Sequence, residues 1–332
     1  MTQPVLKLRV TGPDGTAANI ETMCRTITWS GDWRNAARTL RYAPAVSPDD
    51  IHLPRAPTAL GGSVQFWGGG VLLMDAFALE RTRDSLGTTI DVTAYDRGLY
   101  LTRNSAFLRV NGQTPEAVTA SLCRQFGIQT GTLAATGIPL TRNFPGVPLY
   151  KIVMTLYSLA ADRTGKKYRV RFRGQKLEVV EAVQSSESVV LRPGSNLLSF
   201  VTKESASAMT NSVAIYNDRY EPVATRQDDE AAALYGLMQT AIRSGAYDDP
   251  EGHAKQLLKE NGLKTTITLT ALGDVRLITG NTVVVQEPVT EISGLFWILS
   301  DTHTWTRGLY QTKLTLSLEA VMDSQTAGSA LK

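Results

Sequence analysis

The segment TTITLTALGDVRLITGNTVVVQEPVTEISGLFWILSDTHTWTRGLYQTKLTLSLEAV, residues 265–321, has the clearest secondary-structure pattern in the chain. At its start, apolar Ile267 and Leu269 alternate with threonines, which is the period of a strand that is buried on one face. Turn residues then separate further strand-like runs at Gly273-Asp274, Gly280-Asn281 and Ser293-Gly294. Short strands at this spacing predict an antiparallel meander that closes into a small barrel or sandwich.

The composition indicates a folded protein with more than one domain. The 332 residues exceed what one hydrophobic core usually serves, so two or three domains are expected. A formal net charge of +3 is too small for a dedicated nucleic-acid-binding protein. The first residues lack a signal-peptide pattern and no run approaches about twenty apolar residues, so we expect a soluble protein made in the cytosol.

The sequence contains no pattern typical of a metal site, a disulfide framework or a catalytic site. The two cysteines, Cys24 and Cys123, lie in different segments and are interpreted as small buried hydrophobic residues. His52, His253 and His303 belong to no metal-binding spacing. Because nucleophile, P-loop and dinucleotide motifs are also missing from the sequence, we predict a protein that is not an enzyme and needs no cofactor or metal.

Two further groups of residues are predicted to have structural roles. Gly68-Gly69-Gly70 joins two strand-like runs and is followed by no helix, which favours a hairpin turn over a phosphate-binding loop. Acidic pairs fall at loops or helix starts, where carboxylates favour the helix dipole: Asp49-Asp50, Asp228-Asp229 and Asp248-Asp249. We interpret these pairs as caps and solvated turns rather than as a catalytic pair of carboxylates.

Residues 1–105 are predicted to form a first β-domain. Apolar Leu6, Leu8 and Val10 alternate with basic residues before a strong turn at 12–15. Further strands are predicted at 20–29, 37–43, 63–66, 71–81 and 88–95. The segment 44–62 carries four prolines and is predicted to be an extended surface loop.

Residues 106–186 are predicted to form a small α+β domain of two helices and a hairpin. Thr114-Pro115-Glu116 supplies the start of the first helix, and the second runs from Pro148 to about Arg163. The hairpin carries the densest basic cluster of the chain: Lys166, Lys167, Arg169, Arg171, Arg173 and Lys176. This cluster is interpreted either as a solvated strand face or as a contact surface for a polyanion or an acidic partner.

Residues 187–325 are predicted to form a second β-domain, and the strands of residues 265–321 complete it. Helical composition at 228–245 and 249–261 predicts a helical insertion within it, at about 226–262. Polar residues dominate after Met322, so we expect this end to fray and 326–332 to be a flexible tail.

The order of these segments resembles the central baseplate hub proteins of contractile phage tails and phage-tail-like bacteriocins. This late-control-D-like family also includes the hub half of type VI secretion spikes. The resemblance rests on NGQTPEAVTASLCRQFGI, on LYKIVMTLYSLAADRTGKKYRVRFRGQKLEVVEA and on GNTVVVQEPVTEISGLFWILSDTHTWTRGLYQTKLTLSLE. In the last of these, the positions that match the family pattern are Gly280, Val283, Val285, Gly294, Phe296, Ile298, His303, Gly308, Tyr310, Thr312, Leu314 and Leu316.

The resemblance implies two tail-tube-like β-barrel domains with a small α+β domain between them. It also implies a homotrimer with pseudo-sixfold symmetry that joins the hexameric tail tube to the trimeric central spike and lines the central channel. The implied partners are tube, spike and baseplate wedge proteins, the tape-measure protein and, in a phage, passing DNA, with no insertion into a membrane. Such a particle is made in the bacterial host cytoplasm and assembled into a virion or bacteriocin baseplate. The basic hairpin would then be a docking or channel-lining face.

Two other functions are kept open by the sequence. Trp297, His303 and Trp305 could form a carbohydrate-binding surface of a phage tail cell-wall-binding module, although alternating aromatic residues are also ordinary packing residues of a sheet. An enzyme with a site built from scattered Asp and Glu residues is the third hypothesis.

Overall fold

The computed structural model describes residues 5–47, 50, 52–185, 187–246, 249–288, 292–306 and 308–330. The chain forms two compact units. Unit 1 combines Met1–Phe200 with Leu269–Lys332, and unit 2 is Val201–Thr268. Strands, most of them paired antiparallel, are the main secondary structure of the described residues, and helices are few, as the sequence predicts for an α+β fold.

The first hundred residues supply seven strands of a large sheet in unit 1. They are β1 (Leu6–Thr11), β2 (Ala17–Asn19), β3 (Cys24–Asp32), β4 (Thr39–Pro44), β5 (Ser63–Gly68), β6 (Val71–Arg83) and β7 (Ile90–Asp96). A short 3₁₀ turn, Glu21–Met23, replaces the start of the strand predicted at 20–29. The predicted hairpin turn is confirmed, since Gly69 and Gly70 have φ of 59° and 81°, the left-handed values of a two-residue type I′ turn.

The C-terminal segment supplies further strands of the same sheet. They are β19 (Thr282–Glu287), β20 (Ile292–Thr306) and β21 (Leu309–Ser317), and β13 (Val189–Leu191) pairs with β19. Strand β20 pairs antiparallel with β3, which gives the order β21-β20-β3-β4-β7-β6-β5-β1-β2. One hydrophobic core therefore takes Leu8, Leu40 and Phe66 from the start of the chain and Trp305 and Tyr310 from its end.

The middle of the chain forms a second core around one long helix. Its elements are α1 (Gly98–Arg103), β8 (Ser105–Gln113), α2 (Pro115–Gln125), β9 (Gln129–Leu133), β10 (Leu140–Pro148), α3 (Leu149–Thr164), β11 (Tyr168–Arg173) and β12 (Lys176–Glu181). Thr114 caps α2, since its side chain accepts a hydrogen bond from the Ala117 backbone N–H. Gly165 ends α3 in a left-handed conformation with φ of 71°. Helix α3 is buried on most of its surface, so it organises this core.

Unit 2 is a small sheet with one packed helix. Strands β14 (Leu197–Ser205) and β18 (Lys264–Leu272) carry the chain into and out of this unit. Inside it lie β15 (Ser212–Tyr216), β16 (Pro222–Gln227), α4 (Asp229–Tyr235), β17 (Gln239–Arg243), a 3₁₀ turn at Ser244–Ala246 and α5 (Pro250–Glu260). Asp228 and Asp249 accept hydrogen bonds from Ala231 and Gly252, which confirms them as helix caps. Asp49 and Asp248 lie outside the described residues.

The helix predicted over 228–245 is wrong in its second half. Helix α4 ends at Tyr235, and Gly236 follows with φ of 81° and ψ of 170°, a backbone conformation that cannot continue a helix. Thr240 and Ile242 then lie in β17, which pairs in parallel with β15. Alanines gave this segment a helical composition, and pairing with a strand that is distant in sequence overrides that local preference.

The end of the chain differs from the expected fraying. Strand β22 (Ser329–Ala330) pairs with β10, and the Arg142 guanidinium donates to the Ala327 and Gly328 carbonyl oxygens. The Gln325 backbone N–H donates to Ser158 Oγ at 3.1 Å. The expectation fails because these polar residues find backbone and hydroxyl partners on the middle of the chain. Residues 331–332 lie outside the described residues.

Candidate functional site

The basic hairpin β11–β12 does not present one open face. Lys167 and Lys176 are exposed, and Lys166 Nζ pairs with Glu181 Oε2 at 2.8 Å on the surface. The three arginines of β11, by contrast, line a cleft between the hairpin and the large sheet. We call Arg169, Arg171 and Arg173 the arginine wall. The structure thus separates the lysines from the arginines within the basic cluster that the sequence predicts.

Arg169 is the deepest residue of the arginine wall. Its Nη1 donates to the Thr279 carbonyl oxygen at 2.5 Å and its Nη2 to Asn281 Oδ1 at 3.4 Å. The guanidinium lies over Gly280, where φ is +79° and a Cβ would collide with it. Burial, together with the charges of Arg171 and Arg38, lowers the pKa of Arg169 to about 10. The hydrogen-bond partners of this buried cation are therefore neutral oxygens.

The other two arginines of the wall differ in their partners. Arg171 Nε donates to Glu178 Oε2 at 2.7 Å, across the strand pair that places these two residues opposite each other. Arg173 is exposed, and within the described part of the chain its side chain makes no hydrogen bond or ion pair. Of the three arginines, Arg173 beside the turn is thus the most accessible, and only Arg171 has a carboxylate partner.

The cleft has a volume of about 420 Å³. Four arginines line it, the three of the wall and Arg38, and so do Asp32, Asp96 and Asp323. Each aspartate already accepts a hydrogen bond from the protein. Leu72, Leu73, Val275 and Phe172 add an apolar part to the lining. The cleft therefore combines guanidinium groups with apolar surface, a composition that suits a small ligand.

A buried polar network joins the two ends of the chain beside this cleft. Asp301 on β20 accepts hydrogen bonds from the guanidinium of Arg38, and Thr279 donates to it through both N–H and Oγ1 at 2.6 Å. Burial opposes the ionisation of Asp301, but the charge of Arg38 and hydrogen bonds from His303 and Arg38 hold its pKa well below its usual range. We call Arg38, Asp301, Thr279, His303 and Tyr310 the seam.

His303 is the central aromatic residue of the seam. Its Nε2 lies 3.1 Å from the Leu277 carbonyl oxygen, which only accepts, so Nε2 carries the hydrogen. Nδ1 can then accept from the Tyr310 hydroxyl at 2.7 Å and from Thr312 Oγ1 at 3.1 Å. The positions His303, Tyr310 and Thr312 of the sequence pattern therefore form one buried hydrogen-bonded group.

The carbohydrate-binding surface that the sequence leaves open at Trp297, His303 and Trp305 lacks two of its three rings, those of His303 and Trp305. His303 is 0% exposed and Trp305 is 8% exposed. Trp305 stacks on Tyr310 with 4.2 Å between ring centroids, while His303 lies 4.9 Å from Trp29. Because these rings pack inside the sheet, they are not accessible to a glycan, and alternation along β20 reflects core packing.

The remaining candidate groups give no second site. Burial raises the pKa of Cys24 to about 12 and of Cys123 to about 11, so both thiols are held in their neutral form. Among the described residues, no cluster of three or more His, Cys, Asp or Glu side chains is arranged to hold a metal ion. In the same residues, no helix is long and apolar enough to cross a membrane.

The fold described above is that of phage tail proteins. It matches the 43 kDa tail protein of prophage MuSo2 from Shewanella oneidensis with a TM-score of 0.70 and 13% identity, over 94% of this chain and 98% of that chain. It also matches an Escherichia coli type VI secretion component that is itself similar to bacteriophage T4 tail proteins. That match has a TM-score of 0.53 and 12% identity, over 92% of this chain and 76% of that one.

Sequence comparison agrees with the fold. The YqbQ-like family model matches residues 27–317, so the chain belongs to this family. The protein XkdQ of the phage-like element PBSX from Bacillus subtilis (strain 168) is 23% identical over 273 residues, which cover 79% of this chain and 81% of XkdQ. The matched region contains β20 and β21, and hence Asp301, His303 and Tyr310 of the seam.

Proposed function

We propose that this chain is the structural baseplate hub of a contractile tail or tail-like injection particle. The observation that carries the proposal is the agreement in fold with a prophage tail protein over nearly the whole of both chains. The similarity to a protein of a phage-like element and to a type VI secretion component supports the same class of particle. A phage and a headless bacteriocin both fit this role.

In this proposal the hub is a trimer that adapts symmetry. Residues 1–105 and 187–325 would each form a tail-tube-like barrel domain, with 106–186 between them, so that three chains present six similar domains. In the structure the two segments meet at the β3–β20 pair within one sheet. Such a ring would meet a hexameric tube on one face and a trimeric spike on the other.

The proposed mechanism is mechanical and involves no chemical reaction. The hub would template the first ring of the tube, hold the spike and line the channel through which cargo leaves. The exposed lysines Lys167 and Lys176 support a docking or channel-lining role for the outer side of the hairpin, because exposed cations attract acidic partner surfaces or DNA. The wedge and tape-measure proteins would be its other neighbours.

Deletion of the gene from its particle-producing bacterium tests the proposal. We expect electron microscopy to show no complete tails, and we expect the wild-type gene supplied in trans to restore them. Contractile particles of normal length with an attached spike in the deletion strain would contradict a hub role. A double variant Lys167→Gln with Lys176→Gln in the restoring gene then tests whether the exposed lysines are needed for assembly.

A further inference from the structure

Arg169 poses an energetic problem that the folded chain alone does not solve. A buried charge is normally paired with an opposite charge, because its removal from water is costly. Arg38, which also lines the cleft, has such a partner in Asp301. The side chain of Arg169 donates hydrogen bonds to the Thr279 carbonyl and the Asn281 amide oxygen, and its buried Nε has no partner among the described residues. An anion in the cleft would supply the missing charge.

The cleft around Arg169 contains more hydrogen-bond donors than the fold supplies with acceptors. Buried nitrogen atoms without a hydrogen-bond partner belong to three residues of the cleft lining, namely Trp29 Nε1, Arg38 Nε and Arg169 Nε. The Arg173 guanidinium is also without a described partner. Because nearly all buried polar groups in folded proteins are satisfied, this surplus of donors indicates an absent acceptor.

The acidic residues of the cleft do not fill that role. Asp96 accepts hydrogen bonds from the Gly98 and Arg38 backbone N–H groups. Asp323 accepts a hydrogen bond from the Tyr150 hydroxyl at 2.8 Å. Burial raises the pKa of the same tyrosine, and the charge of Asp32 contributes to that rise. These carboxylates thus already have partners within the fold. Burial and the charges of Arg171 and Arg38 lower the pKa of Arg169, and the charge of Glu178, which is paired with Arg171, opposes them only in part.

We propose that the arginine wall binds a small organic anion, with a carboxylate or phosphate against the guanidinium groups and an apolar part against Leu72, Leu73 and Val275. Guanidinium groups bind these anions through charge-assisted and bidentate hydrogen bonds. The cleft volume of about 420 Å³ lies within the range of about 300–1,000 Å³ that is typical of ligand pockets. The site is independent of the hub role.

Phenyl phosphate is the probe that tests this site, because it carries both the anion and an apolar ring. Trp29 and Trp33 line the cleft, so their fluorescence reports on occupancy. We expect saturable quenching by phenyl phosphate, weaker binding of inorganic phosphate and no saturable effect of benzyl alcohol. The absence of saturable binding of both phosphates to the folded protein, up to millimolar concentration, would overturn the proposal.

Two neighbouring cations provide matched variants. Arg173 lines the cleft, whereas Lys176 is its directly opposite partner across the hairpin and lies outside the cleft lining. We expect Arg173→Gln to weaken phenyl phosphate binding at least about tenfold, because it removes a charged hydrogen-bond donor. Lys176→Gln should leave binding within about twofold of wild type. Equal affinities of the two variants would overturn the proposal.

A double variant tests whether a loss of phenyl phosphate binding comes from the missing arginine rather than from a disturbed fold. Arg171→Gln combined with Glu178→Gln removes both members of one ion pair, so neither of these two charges is left behind without the other. The proposal predicts a loss of affinity in this double variant as well, while the circular dichroism spectrum stays that of wild type. Unchanged affinity in a folded double variant would mean that the arginine wall does not hold the anion.

Discussion

Arg38 of the seam and Arg169 of the arginine wall line the same cleft and differ in what neutralises them. Arg38 pairs with Asp301, which is itself 1% exposed and also accepts two bonds from Thr279. Arg169 donates its hydrogen bonds to the Thr279 carbonyl and to Asn281, neither of which is a carboxylate. A completed ion pair stabilises the junction of two strands, whereas an uncompensated cation creates a binding site for something else.

Removing Arg38 should have the largest effect on stability. Arg38→Met leaves Asp301 buried without its counter-charge and removes the guanidinium that lies 3.9 Å from the Trp29 ring centroid. We expect the free energy of unfolding to fall by about 3 kcal/mol or more in a urea titration. Arg34→Met, at an exposed position nearby, should change it by less than about 0.5 kcal/mol. Similar values for both variants would contradict the structural importance of the seam.

Two buried aspartates beside Arg38 should respond to pH in opposite ways. Burial raises the pKa of Asp96 from 3.8 to about 6, so between these values the folded state holds its proton more tightly than the unfolded state. Its contribution therefore makes the protein less stable as pH rises from about 4 to 6, by up to about 2 kcal/mol. The pKa of Asp301 is lowered instead of raised, so this group has the opposite effect. It stabilises the fold when ionised, and that stabilisation is lost only as pH falls below the usual aspartate range.

Asp96→Asn separates these two contributions. The free energy of unfolding of this variant, measured by urea titration at several pH values between 4 and 6, should rise more with pH than that of wild type. The reason is that the opposing contribution of Asp96 has been removed. Parallel pH profiles for wild type and Asp96→Asn would show that Asp96 does not titrate in this range.

Two glycines with the same backbone conformation test the close approach of Arg169. Gly280 and Gly308 have φ of +79° and +78°, but only at Gly280 would a Cβ meet a neighbouring side chain, that of Arg169. Alanine should cost about 1 kcal/mol at either position for the left-handed conformation. Gly280→Ala should cost about 1 kcal/mol more in thermal or urea unfolding because Arg169 must move. Equal costs at both positions would show that Arg169 does not pack there.

Arg169→Met should have the smallest effect and completes the comparison with Arg38→Met. Replacing a buried cation that lacks a counter-charge with an apolar side chain of similar length is often neutral or stabilising. We expect the free energy of unfolding to change by less than about 1 kcal/mol when no anion is present. A loss as large as that of Arg38→Met would show that Arg169 is already neutralised within the fold.

The features that the sequence predicts well are local ones. Thr114 as a helix cap, the end of the second helix near Arg163 and the turn at Gly69-Gly70 each depend on neighbouring residues, and all three are confirmed. Strand β17 was missed because it follows the alanine-rich helix α4 and its pairing with β15 is not encoded in its own composition.

The candidate site depended on contacts between residues that are far apart in sequence. Arg38 and Asp301 are separated by 263 positions, and Arg169 and Thr279 by 110. A single sequence does not reveal such pairs. The sequence did show the alternating arginines of β11 and the glycine at position 280. In the structure the two features meet, because the Arg169 guanidinium lies against Gly280. The sequence did not decide whether His303 and Trp305 are buried, since alternating aromatic residues suit both a core and a binding face.

The mass of the purified protein in solution tests the proposed hub role most directly. Light scattering would be measured on the protein alone and after mixing with the tube and spike proteins encoded beside it. A particle of three copies, either alone or formed when the spike is added, is the result that the hub proposal predicts. A stable monomer whose mass is unchanged by both partners would contradict it.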